Sequence, residues 1–192
     1  EPNRVVNNGS AIVAGNSQGL DMSSVTSAGT VAMRKAINSV SNPDEFDINM
    51  IVLPGVINRL HSSVSTFAKD MCEDRQDCFY VMDAGAYSDS IATAVNSLTS
   101  FDSNYVATYH PWVKILDVDK NKPVWVPPSV VLPGVIAFND SVAAEWYAPA
   151  GLNRGGLSNV IEVKTRLTHD GRDTIYTGRI NPIATFPGQG AT

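Results

Sequence analysis

Apolar and polar positions alternate along this chain with two different periods, and the switches between them set out the elements. From Thr30 to Val40 the apolar residues Val31, Ala36, Ile37 and Val40 return at helical spacing, and Asn42-Pro43-Asp44 ends the pattern. This predicts one amphipathic helix. Ile48-Asn49-Met50-Ile51-Val52-Leu53 reads as a strand buried on both faces, with Pro54-Gly55 as its stop. Directly after it, Val56, Ile57, Leu60, Val64, Phe67, Ala68 and Met71 mark one face of a helix of about four turns. Phe79-Tyr80-Val81-Met82 is a second apolar strand, closed by Asp83-Ala84-Gly85. Ser88 is the expected N-cap of a helix carrying Ile91, Ala94, Val95 and Leu98. Tyr105-Val106-Ala107-Thr108-Tyr109 supplies a third strand. Strand, helix, strand, helix with apolar strands is the pattern of parallel βαβ units with right-handed crossovers.

The second half changes character. Val113–Asp117 and Val124–Val126 flank the turn residues Asp119-Lys120-Asn121-Lys122 and predict a hairpin. Asn139-Asp140-Ser141 reads as a capping cluster for a short helix through Tyr147. Ile161–Leu167 and Thr174–Thr177, joined around Asp170-Gly171, read as a further hairpin on the strength of the Asp-Gly pair. The expected fold is therefore α/β with mixed α+β character: a βαβ-type sheet flanked by helices, followed by C-terminal β-hairpins. Residues 1–27, rich in Asn, Ser and Gly with one apolar run at Ala11-Ile12-Val13-Ala14, read as a loop or linker, partly disordered, with room for one edge strand. Residues 28–192 read as a single α/β domain.

Composition narrows the function. Hydrophobic residues at 43% and charged ones at 17% describe a chain that can bury a core. The formal net charge of −5, with no dense Lys/Arg run, argues against a general nucleic-acid binder. No apolar run approaches the ~20 residues a membrane span needs, and no signal-peptide pattern is present. Cys72 and Cys78 fit either a local disulfide or two thiols, and the thiols are the favoured reading.

Candidate chemistry is sparse. Asp83 and Gly85 sit where a parallel sheet places ligands, beyond a strand's carboxyl end, but neither GxGxxG nor GxxxxGK[ST] accompanies them. Asp117-Val118-Asp119 superficially opens a phosphotransferase motif, yet Lys120-Asn121-Lys122 spells a turn. His61, His110 and His169 are scattered without a second ligand at metal spacing, and a GxSxG elbow is missing. These residues predict no catalytic, cofactor or metal site. Lys164, Arg166, Arg172 and Arg179 form a candidate basic face opposite Glu45, Asp47, Asp70, Glu73 and Asp74. Such a pair of faces suits head-to-tail contacts between copies.

The remaining feature is Trp146-Tyr147-Ala148-Pro149-Ala150-Gly151-Leu152-Asn153-Arg154-Gly155-Gly156-Leu157, an aromatic pair running into a proline and three glycines. Its residues alone spell an ordered turn packed on something. It also resembles the W-x-A-P-A-G-x-x-R-G signature of contractile phage tail sheath proteins. Trp125-Val126-Pro127-Pro128-Ser129, Gly134-Val135-Ile136-Ala137, Arg179-Ile180-Asn181-Pro182-Ile183 and Phe186-Pro187-Gly188-Gln189-Gly190 follow in that family's order. The resemblance covers about the last seventy residues well and the middle of the chain loosely.

The resemblance implies a virion protein, assembled in the host bacterial cytoplasm, that stacks with copies of itself in a helix around a tail tube. It would work with tube, baseplate and tail terminator proteins and contract to drive the tube through the host envelope, touching neither nucleic acid nor membrane directly. It further implies neighbours linked by terminal extensions that add strands to another copy's sheet, no enzymatic activity and no cofactor. Trp146, Pro149, Gly151, Arg154 and Gly155 would be fold determinants, with Arg154 paired to a carboxylate. The resembling family runs on past the residues matching Gly190-Ala191-Thr192, which suggests a piece of a longer protein. A related contractile injection machine fits the same pattern. The competing reading is a small α/β enzyme or nucleotide- and phosphate-binding domain with its cleft around Pro54-Gly55 and Asp83-Gly85. An adhesion domain, the third reading, would want a calcium cage of carboxylates that the sequence lacks.

Overall fold

The computed structural model describes residues 21–188 and 190–192. The loop and edge strand expected within residues 1–20 lie outside the described residues. Residues 21–27 form a turn in which the Ser27 hydroxyl accepts from the Ser24 amide at 2.8 Å, and α1 (Ala28–Ser39) follows as its period predicts.

The first strand departs from expectation. β1 (Met50–Ile57) runs through Pro54-Gly55, and Val56 and Ile57 are buried strand residues, not the first turn of a helix. β1 is an edge strand, so a proline can sit in it without breaking an inner ladder. Its register with the neighbouring β2 (Phe79–Asp83) shifts between Val52 and Ile57, and Gly55 takes φ +86 within that bulge. The helix starts only at Ser62, as α2 (Ser62–Arg75).

Beyond β2, α3 (Ile91–Asn96) is capped by Ser90, whose hydroxyl accepts from the Thr93 amide at 3.2 Å, and not by Ser88. β3 (Val106–His110) closes the expected parallel unit, and β7 (Asn181–Pro182) pairs parallel beside it, giving the order β1-β2-β3-β7. Strand alternation gives Tyr80 and Met82 one face of this sheet, where they share a core with Val64, Ala68, Ala94 and Ile175 of the helices. Val81 and Asp83 point to the opposite face.

The predicted hairpin forms as β4 (Val113–Asp117) and β5 (Lys122–Val126), with the Asp117 carboxylate accepting from the Asp119 and Lys120 amides in the turn. A 3-10 turn at Pro128–Val130 leads into α4 (Leu132–Val142). Asn139-Asp140-Ser141 therefore closes a helix and does not open one. Pro133 stands at its first turn, where a missing N–H is harmless, so the helix begins earlier than the capping cluster suggested.

The C-terminal hairpin around Asp170-Gly171 is absent. β6 (Val160–Val163) pairs antiparallel with β4, and the next segment is α5 (His169–Thr177). Thr168 caps that helix by accepting from the Gly171 amide at 3.1 Å, and Ile175 is completely buried on its inner face. A capping threonine three residues ahead of the glycine outweighs the Asp-Gly turn signal. β8 (Thr185–Phe186) and β9 (Gly190–Ala191) make a short antiparallel pair. The second core, under the β5-β4-β6 sheet, gathers Val113, Val131, Val135, Leu157, Val163 and Ile183. The α/β architecture stands, with one hairpin exchanged for a helix.

Candidate interaction site

The cleft expected beyond β2 is filled from within. Asp83 is 2% exposed; its carboxylate accepts from the Ser129 amide at 3.2 Å and the Ser129 hydroxyl at 2.6 Å. Burial pushes this carboxyl up to about 6, against the lowering effect of those two bonds. At the mouth, Gly85 accepts from the Trp112 indole at 3.0 Å, and Asp89 holds the Ala86 amide and forks onto Arg59. The two groups here that could meet a phosphate, the Ala86 amide and the Arg59 guanidinium, are thus both engaged by Asp89, and the Asp83 carboxylate would repel one. Among the described residues no group of three or more His, Cys, Asp and Glu could hold a metal ion. The His61 ring nitrogen Nδ1 accepts from the Ile57 amide at 3.1 Å, and burial lowers that imidazole's pKa. Cys72 and Cys78 are free buried thiols, as favoured from their spacing, and burial pushes the Cys72 thiol up. No helix of the described residues is long and apolar enough to cross a membrane.

The motif loop is ordered by its own backbone. Asn139, buried in the last turn of α4, donates from its amide nitrogen to the Tyr147 carbonyl at 2.8 Å, fixing where the chain leaves the helix. Gly151 takes φ +77, and its carbonyl accepts from the Gly155 amide at 2.7 Å. A Cβ on Gly155 would come within 3.0 Å of the Ala150 Cα and the Pro149 carbonyl oxygen, so only glycine allows that approach. Leu157 is buried, and its amide donates to the Ala191 carbonyl at 2.9 Å, tying the loop to β9.

The aromatic end of the loop faces outward. Trp146 is 80% exposed and stacks on Tyr147, with ring centroids 4.4 Å apart and planes 26° apart. The Arg154 guanidinium lies 4.4 Å from the Tyr147 ring centroid. Arg154 therefore stacks on an aromatic ring, and among the described residues it pairs with no carboxylate. Trp146 does not pack the turn. Sequence reasoning located this motif but not its orientation. Asn139 it took for a cap, although a buried polar residue in an apolar helix seven residues before an aromatic pair is a readable sign of a tether.

The four basic residues do not share a hairpin. Lys164, just past β6, places its ammonium 4.1 Å from the Tyr87 ring centroid; Arg172, on α5, lies over Phe186. Arg179, after α5, pairs with the exposed Asp102 at 3.0 Å, and Arg166 is exposed in the loop between β6 and α5. On the acidic side, Asp70 and Glu73 share Lys69, at 2.8 and 2.9 Å. Asp74 is exposed and unpaired among the described residues.

The described residues thus define an α/β scaffold whose polar groups at the sheet end serve the fold and whose outstanding surface feature is an aromatic–arginine stack. Residues 28–192 match the family model described as the phage tail sheath protein central domain, and the chain belongs to that family. It is 33% identical to the tail sheath protein of Enterobacteria phage T4 over 107 residues, covering 56% of this chain and 15% of that protein. It is 36% identical to the tail sheath protein of Vibrio phage KVP40 over 89 residues, covering 46% of this chain and 12% of that protein. The chain thus spans a small part of the curated relatives it matches. Its fold is similar to a chain of the anti-feeding prophage baseplate, with a TM-score of 0.59 at 23% identity over 77% of this chain and 37% of that one. It is also similar to the helical sheath of that prophage in its contracted state, with a TM-score of 0.56 at 22% identity over 89% and 42%.

Proposed function

We propose that this chain is the central part of a structural sheath subunit. Copies stack helically around a tail tube in a long form, then shift to a shorter, wider packing that drives the tube through the host envelope. The observation that carries this reading is the family match over residues 28–192. In this reading the subunit is a virion component assembled in the host cytoplasm. It meets the tube, baseplate and terminator proteins and catalyses nothing. Pro149, Gly151 and Gly155 shape the loop, while Lys164, Arg166, Arg172 and Arg179 serve as secondary contacts between copies. Residues 28–192 move as one body. The bond from the 3-10 turn's Ser129 to Asp83 on β2, and that from Trp112 before β4 to Gly85 after β2, support that rigidity.

A phage sheath is favoured over a related injection machine because the curated relatives named above are phage tail sheath proteins. The nucleotide-binding alternative loses its support with Asp83, which is turned inward onto Ser129. Sedimentation velocity over a range of concentrations, paired with equilibrium dialysis against ATP and GTP, separates the two. The expected result is association that grows with protein concentration and weakens with salt, with no saturable nucleotide uptake. A particle that stays monomeric throughout and binds a nucleotide saturably would overturn the proposal.

A further inference from the structure

Trp, Tyr and Arg are the residue types that dominate the energetics of protein interfaces, and here one of each stands in a single stack. The stack is preorganised. Asn139 fixes the Tyr147 carbonyl, the Gly151–Gly155 bond closes the loop behind it, and Arg154 is held against the ring. Less ordering is left to do when a partner arrives. Trp146, 80% exposed, is a large apolar surface in water, stacked among the described residues only on Tyr147.

A complementary surface lies on other elements of the same chain. Between α1 and α2 is a cavity of about 420 Å³ whose lining includes Pro43, Phe67, Asp70, Met71, Asp74 and the Asp77-paired Arg75, with the Arg34 guanidinium 4.8 Å from the Phe67 ring centroid. Asp70 shares its lysine with Glu73, and among the described residues Asp74 pairs with no cation. The exposed acidic residues Asp44, Glu45 and Asp47 follow α1 nearby in the chain. Among the described residues, the protruding stack thus carries an arginine without a carboxylate, and the hollow carries in Asp74 a carboxylate without a paired cation.

Resting on the assembly reading above, we infer that the Trp146–Tyr147–Arg154 stack of one copy docks into the α1–α2 groove of a second copy. Trp146 enters beside Phe67, whose ring the Arg34 guanidinium already approaches, and Arg154 meets Asp74. The two halves lie on different elements, and joined head-to-tail they leave each pair of copies with one free stack and one free groove. Such a contact propagates into a ring or an open helix, and growth of the wild type beyond a dimer distinguishes it from a reciprocal two-fold pair in which each stack fills the other copy's groove. The stack residues then act between subunits, whereas Pro149, Gly151 and Gly155 act within one.

Two variants of the full chain test this in sedimentation velocity, with circular dichroism checking that each is folded. Trp146→Ala removes the stack's tip and leaves the groove; Asp74→Lys reverses the groove's charge and leaves the tip. Both side chains are exposed, so neither change disturbs the core. The wild type is expected to form growing oligomers, and each variant alone to associate on the order of thirtyfold more weakly or worse. An equimolar mixture, with one intact stack and one intact groove between two copies, is expected to give a 1:1 dimer and nothing larger. A mixture that stays monomeric overturns the contact. Wild-type association that either variant retains also overturns it, while leaving helical assembly standing. A wild type that never associates removes both.

Discussion

Replacing Arg75 by methionine is expected to lower the melting temperature by on the order of 5–10 °C. The Arg75 side chain is 1% exposed at the end of α2, yet three separate segments converge on it. Its guanidinium donates to the Val40 carbonyl at 2.6 Å, to the Phe46 carbonyl at 2.8 Å, and through two bonds to the Asp77 carboxylate. Val40 ends α1 and Phe46 lies in the loop before β1, so one side chain holds the first helix and its exit loop against the second helix. Methionine keeps the bulk but leaves those carbonyls without their donor. Lysine keeps the charge but cannot reproduce the planar fork, and Arg75→Lys should recover only part of the loss. Thermal unfolding followed by circular dichroism checks both. A methionine variant melting within a degree or two of wild type would show that α1 is held by its apolar face alone. That loss would also loosen the α1–α2 groove.

Asp83→Asn is expected to change the pH dependence of stability more than any other single exchange. The folded carboxyl is pushed up to about 6, above its ordinary value, so the folded state holds this proton where the unfolded chain has released it. The sign follows from that. The contribution is fully present below about pH 4 and is lost as pH rises through about 6, a total of about 3 kcal/mol. Asparagine cannot titrate, while its oxygen can still accept from the Ser129 amide and its nitrogen can donate to the Ser129 hydroxyl. The variant should therefore gain on the wild type by about 3 kcal/mol between pH 4 and pH 7. Asp77, held below the usual carboxylate range by Arg75, and Glu73, held low by Ser103 and Lys69, pull the other way in both proteins and cancel in the comparison. Urea unfolding at several pH values gives the two curves. Parallel curves would mean that Asp83 is ionised in the folded protein.

Much of this architecture could be read from hydrophobic period alone, and the exceptions have identifiable causes. α1, β2, β3 and the β4–β5 hairpin fall within a residue or two of their expected places because pattern and punctuation agree there. β1 ran on through Pro54-Gly55 because an edge strand tolerates a proline and a bulge absorbs the glycine, a fact about sheet position that no local window contains. α5 replaced a hairpin because the Thr168 cap and the burial of Ile175 outweighed Asp170-Gly171, a contest settled by tertiary packing. The motif was visible, and its glycines sit where a turn requires them. Its aromatics could not be assigned a direction, since a tryptophan that packs a turn and one that waits for a partner look alike in sequence. The basic residues were grouped by proximity along the chain, and the structure distributes them over different elements.

The most direct test of the central claim is negative-stain electron microscopy of the full polypeptide that carries these residues, concentrated in moderate salt. Hollow helical tubes of uniform width are the predicted result, and they should be absent from the Trp146→Ala form. Dispersed globular particles of one size, at every concentration and salt tried, would contradict a sheath subunit.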